Sequence, residues 1–144
     1  MVAAVKFNQF VQDVGRGVHN LNSNSLKIAL TNSAPNAATN QVLADITQIS
    51  GTNGYTTGGT AVPGTAYSQT SGTGALTGTP SGGDVVFTAS GGNMGPFRYA
   101  VLYNDTPTSP ADPLIQYWDY GSSITLADTE TFTVDFGTNI LTLA

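Results

Sequence analysis

Apolar positions in this chain follow two different periods. Near the N-terminus they recur at spacings of three and four: after Val5 come Phe7, Phe10, Val11, Val14 and Val18, the last five along one stripe of a predicted helix. Gly15 and Gly17 each weaken its last turns by roughly 1 kcal/mol relative to Ala, so the helix is expected to fray or end before His19. The run from His19 to Ser25 is Asn- and Ser-rich turn chemistry, and the period then changes to two. Leu26, Ile28 and Leu30 share one face of a first strand over Leu26 to Thr31.

Asn32 to Asn40 reads as a loop, and Val42 to Ile46 as a short helical turn with an apolar side to dock on a sheet. From Ser50 to Gly95 the composition changes to thirteen Gly and fifteen Ser or Thr in 46 residues, with Asp84 the one charge. A flexible linker would have that composition. Part of it nevertheless reads as strand, because Asp84 to Ala89 is β-branched and aromatic, bracketed by Gly82-Gly83 and Gly91-Gly92, and Tyr55 and Tyr67 sit among threonines. Long Gly/Thr-rich hairpins are expected here, with tips that order only against a neighbour. Further on, Phe97, Tyr99, Val101 and Tyr103 alternate onto one predicted face, and Leu114 to Tyr120 follows after a Pro-containing loop, so 97–103 and 114–120 are expected to pair as a hairpin. Phe132, Val134 and Phe136 alternate in turn, and Ile140 to Leu143 would close the sheet. About eight short strands with glycine turns and one N-terminal α-helix predict a mainly β fold, an antiparallel β-sandwich or jelly roll, as a single domain over residues 1–144.

Composition narrows the function classes. Four Lys and Arg against nine Asp and Glu give a net charge of −5, and only 9% of residues are charged. A basic nucleic-acid footprint is excluded. Gly, Thr, Ser and Asn supply 60 of the 144 residues instead, and a surface so poor in Lys and Glu repels its own copies weakly, which suits packing among many neighbours. With no cysteine, disulfides and thiolate chemistry drop out and the compartment stays open. Asn8 and Gln9 interrupt what would be a signal core, and no run of eighteen apolar residues occurs, so neither a signal peptide nor a membrane span is read.

Candidate chemistry is sparse. His19 is the sole histidine, so a Ser-His-Asp arrangement would have to be built around it, and a structural or capping role fits its Asn-rich setting better. The glycines between Gly51 and Gly95 lack a basic partner for phosphate. Asp119, with Asp105 and Asp112 in the preceding loop, raises the question of paired carboxylates beside Trp118 and Tyr120. On a strand, however, Trp118 and Tyr120 face one way and Asp119 the other, which separates a sugar platform from its acid. A non-catalytic glycan face around Trp118 stays open. Asn104-Asp105 with Asp112, or Asp128 with Glu130, could offer oxygens to Ca²⁺, but the EF-hand spacing is absent. Arg98 lies inside a strand, where it either reaches a carboxylate, with Asp119 the reasonable partner, or faces solvent. No cofactor is expected. Phe7, Phe10, Arg98, Tyr117, Trp118 and Tyr120 stand as the anchors of a core or a subunit interface.

Several segments also carry a resemblance. Lys6 to Val11, Val18-His-Asn-Leu21 leading into Leu26 to Pro35, Val42 to Ile49, and Phe97 to Asp105 followed by Tyr117-Trp-Asp-Tyr-Gly121 together resemble, in order and over most of the chain, a family of small structural proteins of tailed bacteriophages. Ser50 to Gly83 departs from that pattern in being richer in Gly and Thr. The resemblance implies a non-enzymatic virion component, foremost a capsid decoration or cement protein on the head exterior, made in the host cytoplasm. Its partner would be the major capsid protein, with no nucleic acid and no membrane involved, and by analogy it would be a homotrimer. A tail or fibre component is the runner-up, and no catalytic residue transfers.

Overall fold

The computed structural model describes residues 3–78 and 84–144. The proposed Gly82-Gly83 punctuation therefore lies outside the described residues. The fold is mainly β, with antiparallel pairing throughout and one α-helix near the N-terminus. Its frame is a five-stranded sheet in the order β1-β8-β7-β2-β3, formed by Val5–Lys6 (β1), Leu26–Thr31 (β2), Thr60–Ala61 (β3), Met94–Asn104 (β7) and Leu114–Leu126 (β8). Ala66–Thr70 (β4) and Thr73–Thr77 (β5) form a hairpin that Leu141–Leu143 (β10) extends to three strands, while Val85–Thr88 (β6) pairs with Thr131–Val134 (β9). The 97–103/114–120 hairpin is the centre of the frame, with Val101 opposite Tyr117 and Ala100 opposite Trp118. The C-terminal strand closes the small sheet on β5 rather than the large one.

Each face of the large sheet has its own core. On one side Leu26, Ile28 and Leu30 of β2 meet Ala100 and Leu102 of β7, Trp118 of β8, Val85 and Phe87 of β6, Phe132 and Val134 of β9, and Leu76 of β5. On the other side Ala29, Val101, Tyr103 and Leu114 pack with Phe7 and with Leu43 and Ile46, which flank a 3₁₀ turn at Leu43–Asp45. The predicted common face of Phe97, Tyr99, Val101 and Tyr103 needs correcting. Phe97 belongs to the first core, edge-on to Phe132 at 5.0 Å, whereas Val101 and Tyr103 belong to the second. The pairing of β7 with β8 shifts between Phe97 and Tyr99, and one irregular step moves the following side chains to the opposite face.

The helix, α1, spans Asn8–Gly15 and is shorter than its apolar stripe. Phe7 precedes it in an extended conformation, its N–H donating to the Ile115 carbonyl at 3.0 Å, so Phe7 falls on one side of the sheet and Phe10 on the other. Both rings are fully buried, but Val11 is 66% exposed and Val14 37%, so the stripe is covered only in part. The stop is a Schellman motif. Val18 N–H donates to the Asp13 carbonyl at 2.9 Å and Gly17 N–H to that of Val14 at 3.2 Å, with Gly17 at φ +76° where a side chain would be strained.

Residues 50–60, at the start of the Gly/Thr-rich stretch, find their order within the chain. Tyr55 is buried, donates its hydroxyl to Gln48 Oε1 at 2.6 Å and accepts the Leu30 N–H at 3.1 Å. Gln48 Oε1 also accepts Gly58 N–H at 2.7 Å, and the Tyr103 hydroxyl donates to the Gly58 carbonyl at 2.6 Å. Loop tips waiting for a neighbour are thus corrected over 50–60, because two buried tyrosines and one glutamine fix the backbone that large apolar side chains do not.

Candidate interaction surface

The six anchor residues divide by face. Phe7 and Phe10 are core, the former against Tyr117 with ring centroids 5.3 Å apart and the latter edge-on to His19 at 5.0 Å. Trp118 is 5% exposed and lies against Phe136 at 5.2 Å, so it offers no platform to a sugar ring. Tyr120 is 49% exposed, one ring edge on Phe132 at 5.5 Å. On the opposite face, Tyr117 and Arg98 join two residues the sequence reading did not single out as a group, Tyr99 and Asp119.

Together these four form a continuous half-buried row. Tyr117 meets Tyr99 at 6.3 Å, and the Arg98 guanidinium lies 5.4 Å from the Tyr99 ring centroid. Arg98 grips Asp119 with two parallel hydrogen bonds, Nε to Oδ1 at 2.7 Å and Nη2 to Oδ2 at 2.9 Å, both side chains being 38% exposed. Gly121 N–H adds a third donor to Asp119 Oδ1 at 2.8 Å. The Arg98 hydrogen bonds, followed by that backbone donor, hold the Asp119 carboxyl below its ordinary range, while the same hydrogen bonds push Arg98 up. Of the two positions left open for Arg98, the paired one is adopted. The bulge is what makes it so, by setting Arg98 beside the carboxylate across the strand pair.

This geometry suits binding rather than proton transfer. Both Asp119 oxygens are committed, and an acid held ionised cannot donate a proton at neutral pH. Asp105 is taken by Lys27 at 3.0 Å. It sits beyond Asn104 at the far end of β7, six residues past Tyr99, the partner of Asp119, and so about 20 Å away at the usual strand rise, well past the separation of carboxyl pairs that cleave glycosides. Burial, then the charge of Asp105, raises the Asp112 carboxyl. Of the acidic groups considered for Ca²⁺, Asp128 Oδ1 accepts Gly91 N–H at 2.9 Å and Glu130 Oε1 accepts Ala127 N–H at 2.6 Å. No group of three or more His, Cys, Asp or Glu able to hold a metal occurs among the described residues.

His19 has a structural setting. Asn104, fully buried, donates its side-chain amide to His19 Nδ1 at 3.1 Å and to Asn24 Oδ1 at 2.8 Å, while its own Oδ1 accepts Thr106 N–H at 3.1 Å. The ring is thereby the Nε2–H tautomer. Burial pulls its pKa below the ordinary value, and the nearby Asp13 charge partly opposes this. No helix among the described residues is long and apolar enough to cross a membrane. Comparison with protein-family models, with characterised proteins and with solved structures finds no match to this chain.

Proposed function

We propose that this chain is a non-enzymatic structural protein of a tailed-phage virion, a capsid decoration protein that binds the head exterior and clamps neighbouring major capsid subunits. The observation that carries the reading is the half-exposed row of Tyr117, Tyr99, Arg98 and Asp119 on a β surface otherwise poor in charge. Tyr and Arg are the side chains that concentrate binding energy at interfaces, and an ion pair at the surface fixes register more than it adds affinity. The resemblance of Lys6 to Val11, Val18 to Leu21, Leu26 to Pro35, Val42 to Ile49, Phe97 to Asp105 and Tyr117 to Gly121 to phage structural proteins supports the same reading. Each contact made only on the assembled shell shifts the equilibrium toward the closed head, and a small gain per copy is multiplied over many copies. By analogy the bound form is a trimer.

Electron cryo-microscopy of particles from the phage whose genome encodes the chain is expected to show symmetric copies over junctions between head subunits, with the Tyr117–Asp119 face against the capsid. Arg98→Ala combined with Tyr117→Ala is expected to fold yet to remain in the supernatant when mixed with undecorated heads. Density confined to the tail tube, baseplate or fibres would move the protein to the second reading. Absence from purified particles would remove both.

A further inference from the structure

The three-stranded sheet lies on the face of the large sheet away from the Tyr117 row, and one of its edges is open. β4 ends that sheet, and no described strand pairs with its outer side. Its five residues, Ala66 to Thr70, carry no charge and no proline, and all but Tyr67 are exposed. The other described edges are short or flanked by charge. β1 and β3 have two residues each and β10 has three, while Asp84 adjoins β6 and Glu130 and Asp135 bracket β9. Edge strands are ordinarily protected by brevity, charge or proline, and β4 has none of these.

The register says which backbone groups face outward. Ser71 and Gly72, at φ +51° and +81°, make the two-residue turn of the hairpin, so Thr70 opposite Thr73 is its hydrogen-bonded closing pair. Bonding alternates from there: Ser68 and Ala66 also bond inward to β5, and the N–H and C=O groups of Tyr67 and Gln69 point away from it. Tyr67 bears this out, because its N–H donates to Asn22 Oδ1 at 3.1 Å, outside the sheet. Gln69 keeps an outward donor and an outward acceptor on one residue, with its side chain folded back so that Oε1 accepts Gly72 N–H at 3.1 Å. Such a residue is satisfied by itself in a copy related by a two-fold axis, each Gln69 N–H donating to the other C=O. A pairing centred on Ser68 would instead need the Tyr67 N–H that Asn22 holds. Centring on Gln69 also sets Ser68 opposite Thr70 of the copy, hydroxyl beside hydroxyl, and brings no charge against charge although the chain carries −5. We infer that β4 is a self-association edge: a second copy of this chain adds its own β4 antiparallel, Gln69 opposite Gln69, and joins the two small sheets into one.

The test is sedimentation velocity of the purified full chain from about 10 μM to about 1 mM, the range in which a weak contact passes half occupancy. The mass is expected to double with concentration. Gln69→Lys and Gln69→Glu each set like charges opposite one another across the axis, and each is expected to stay monomeric over the whole range. An equimolar mixture of the two is expected to dimerise again, because Lys then faces Glu. Should either variant fail to fold, hydrogen exchange of the wild type decides: the Gln69 amide is expected to gain protection with concentration, while the Ser68 amide, bonded inward, is expected not to change. A chain monomeric at every concentration, an oligomer that both folded variants leave intact, a mixture that stays monomeric, or a Gln69 amide unprotected in the associated chain would overturn the assignment. The readouts need no virion and use a face other than the Tyr117 row, so they are independent of the capsid reading.

Discussion

At the scale of single residues, the polar side chains that matter most are those holding backbone in place. Tyr55→Phe leaves the buried Leu30 N–H without the oxygen it donates to and is expected to cost about 1–3 kcal/mol in urea denaturation. Burial raises the same hydroxyl from 10.0 to about 12. The neutral form is therefore favoured by folding, so this contribution is complete below pH 10 and is lost as pH climbs from 10 toward 12, readable as an alkaline loss of stability that Tyr55→Phe reduces, the buried Tyr103 hydroxyl, also raised, supplying the remainder. His19 works on the other side of neutrality. Its folded pKa lies below 6.5, so its contribution is present above that pH and is lost as pH falls through it, and His19→Gln is expected to flatten the acid limb of a stability-against-pH curve. Trp118→Ala empties a core site and is expected to lower stability by roughly 3–5 kcal/mol, with wild-type emission blue-shifted and indifferent to added glycans.

At the scale of elements, glycine punctuation is used for packing as well as for turning. A Cβ on Gly59, at φ +77°, would run into the Ile28 carbonyl, so the loop before β3 can lie on β2 only without a side chain there. Gly59→Ala is expected to leave little folded protein at 37 °C, scored as soluble yield and near-ultraviolet circular dichroism against wild type. The faces of β6 and β9 were legible because a strand buried on one side shows its period directly, as in Phe132 and Val134, and in β2, buried on both faces, the large side chains Leu26, Ile28 and Leu30 still mark one core. The face of Phe97 was not, since a bulge resets the alternation without leaving any mark in hydrophobicity. The helix stripe was half legible. Phe7 sits in an extended residue that happens to fall at helical spacing from Phe10, and Val11 and Val14 continue a pattern that no described part of the chain covers. Tyr99 escaped the list of anchors for a related reason: its meeting with Tyr117 and Arg98 is a product of cross-strand register, which periodicity along one strand cannot express, whereas the Arg98–Asp119 pair was legible once 97–103 and 114–120 were read as a hairpin.

At the scale of the whole molecule, the two faces of the large sheet are covered unequally. The first is roofed by β6 and β9 and by the three-stranded sheet, whereas the second carries only Phe7 and the segment around Leu43 and Ile46. The Tyr117, Tyr99, Arg98 and Asp119 row is what that thinner cover leaves half open. Because the Arg98–Asp119 pair is surface-exposed, Arg98→Ala is expected to leave the urea midpoint within error while weakening any assembly that uses this face, a separation that a core residue could not produce. Exposed Val11 and Val14 on α1 mark a separate, smaller apolar strip.

The pairing of β1 with β8 joins Val5 to Tyr117, and that of β10 with β5 joins Leu141 to Leu76. Each end of the chain is thus stitched to a partner far away in sequence. During synthesis the first strand has no partner, and the Phe7 N–H no acceptor, until β8 has left the ribosome, and β5 keeps an open edge until residues 141–143 arrive. The Gln116 side chain, whose Nε2 donates to the Ile140 carbonyl at 2.7 Å inside the core, also waits for that last segment. Such closure across long loops slows folding, and it leaves uncharged strand edges available to sister chains in the interval. The scarcity of long apolar runs in residues 50–78 thereby acquires a role in keeping nascent chains apart while those edges are open.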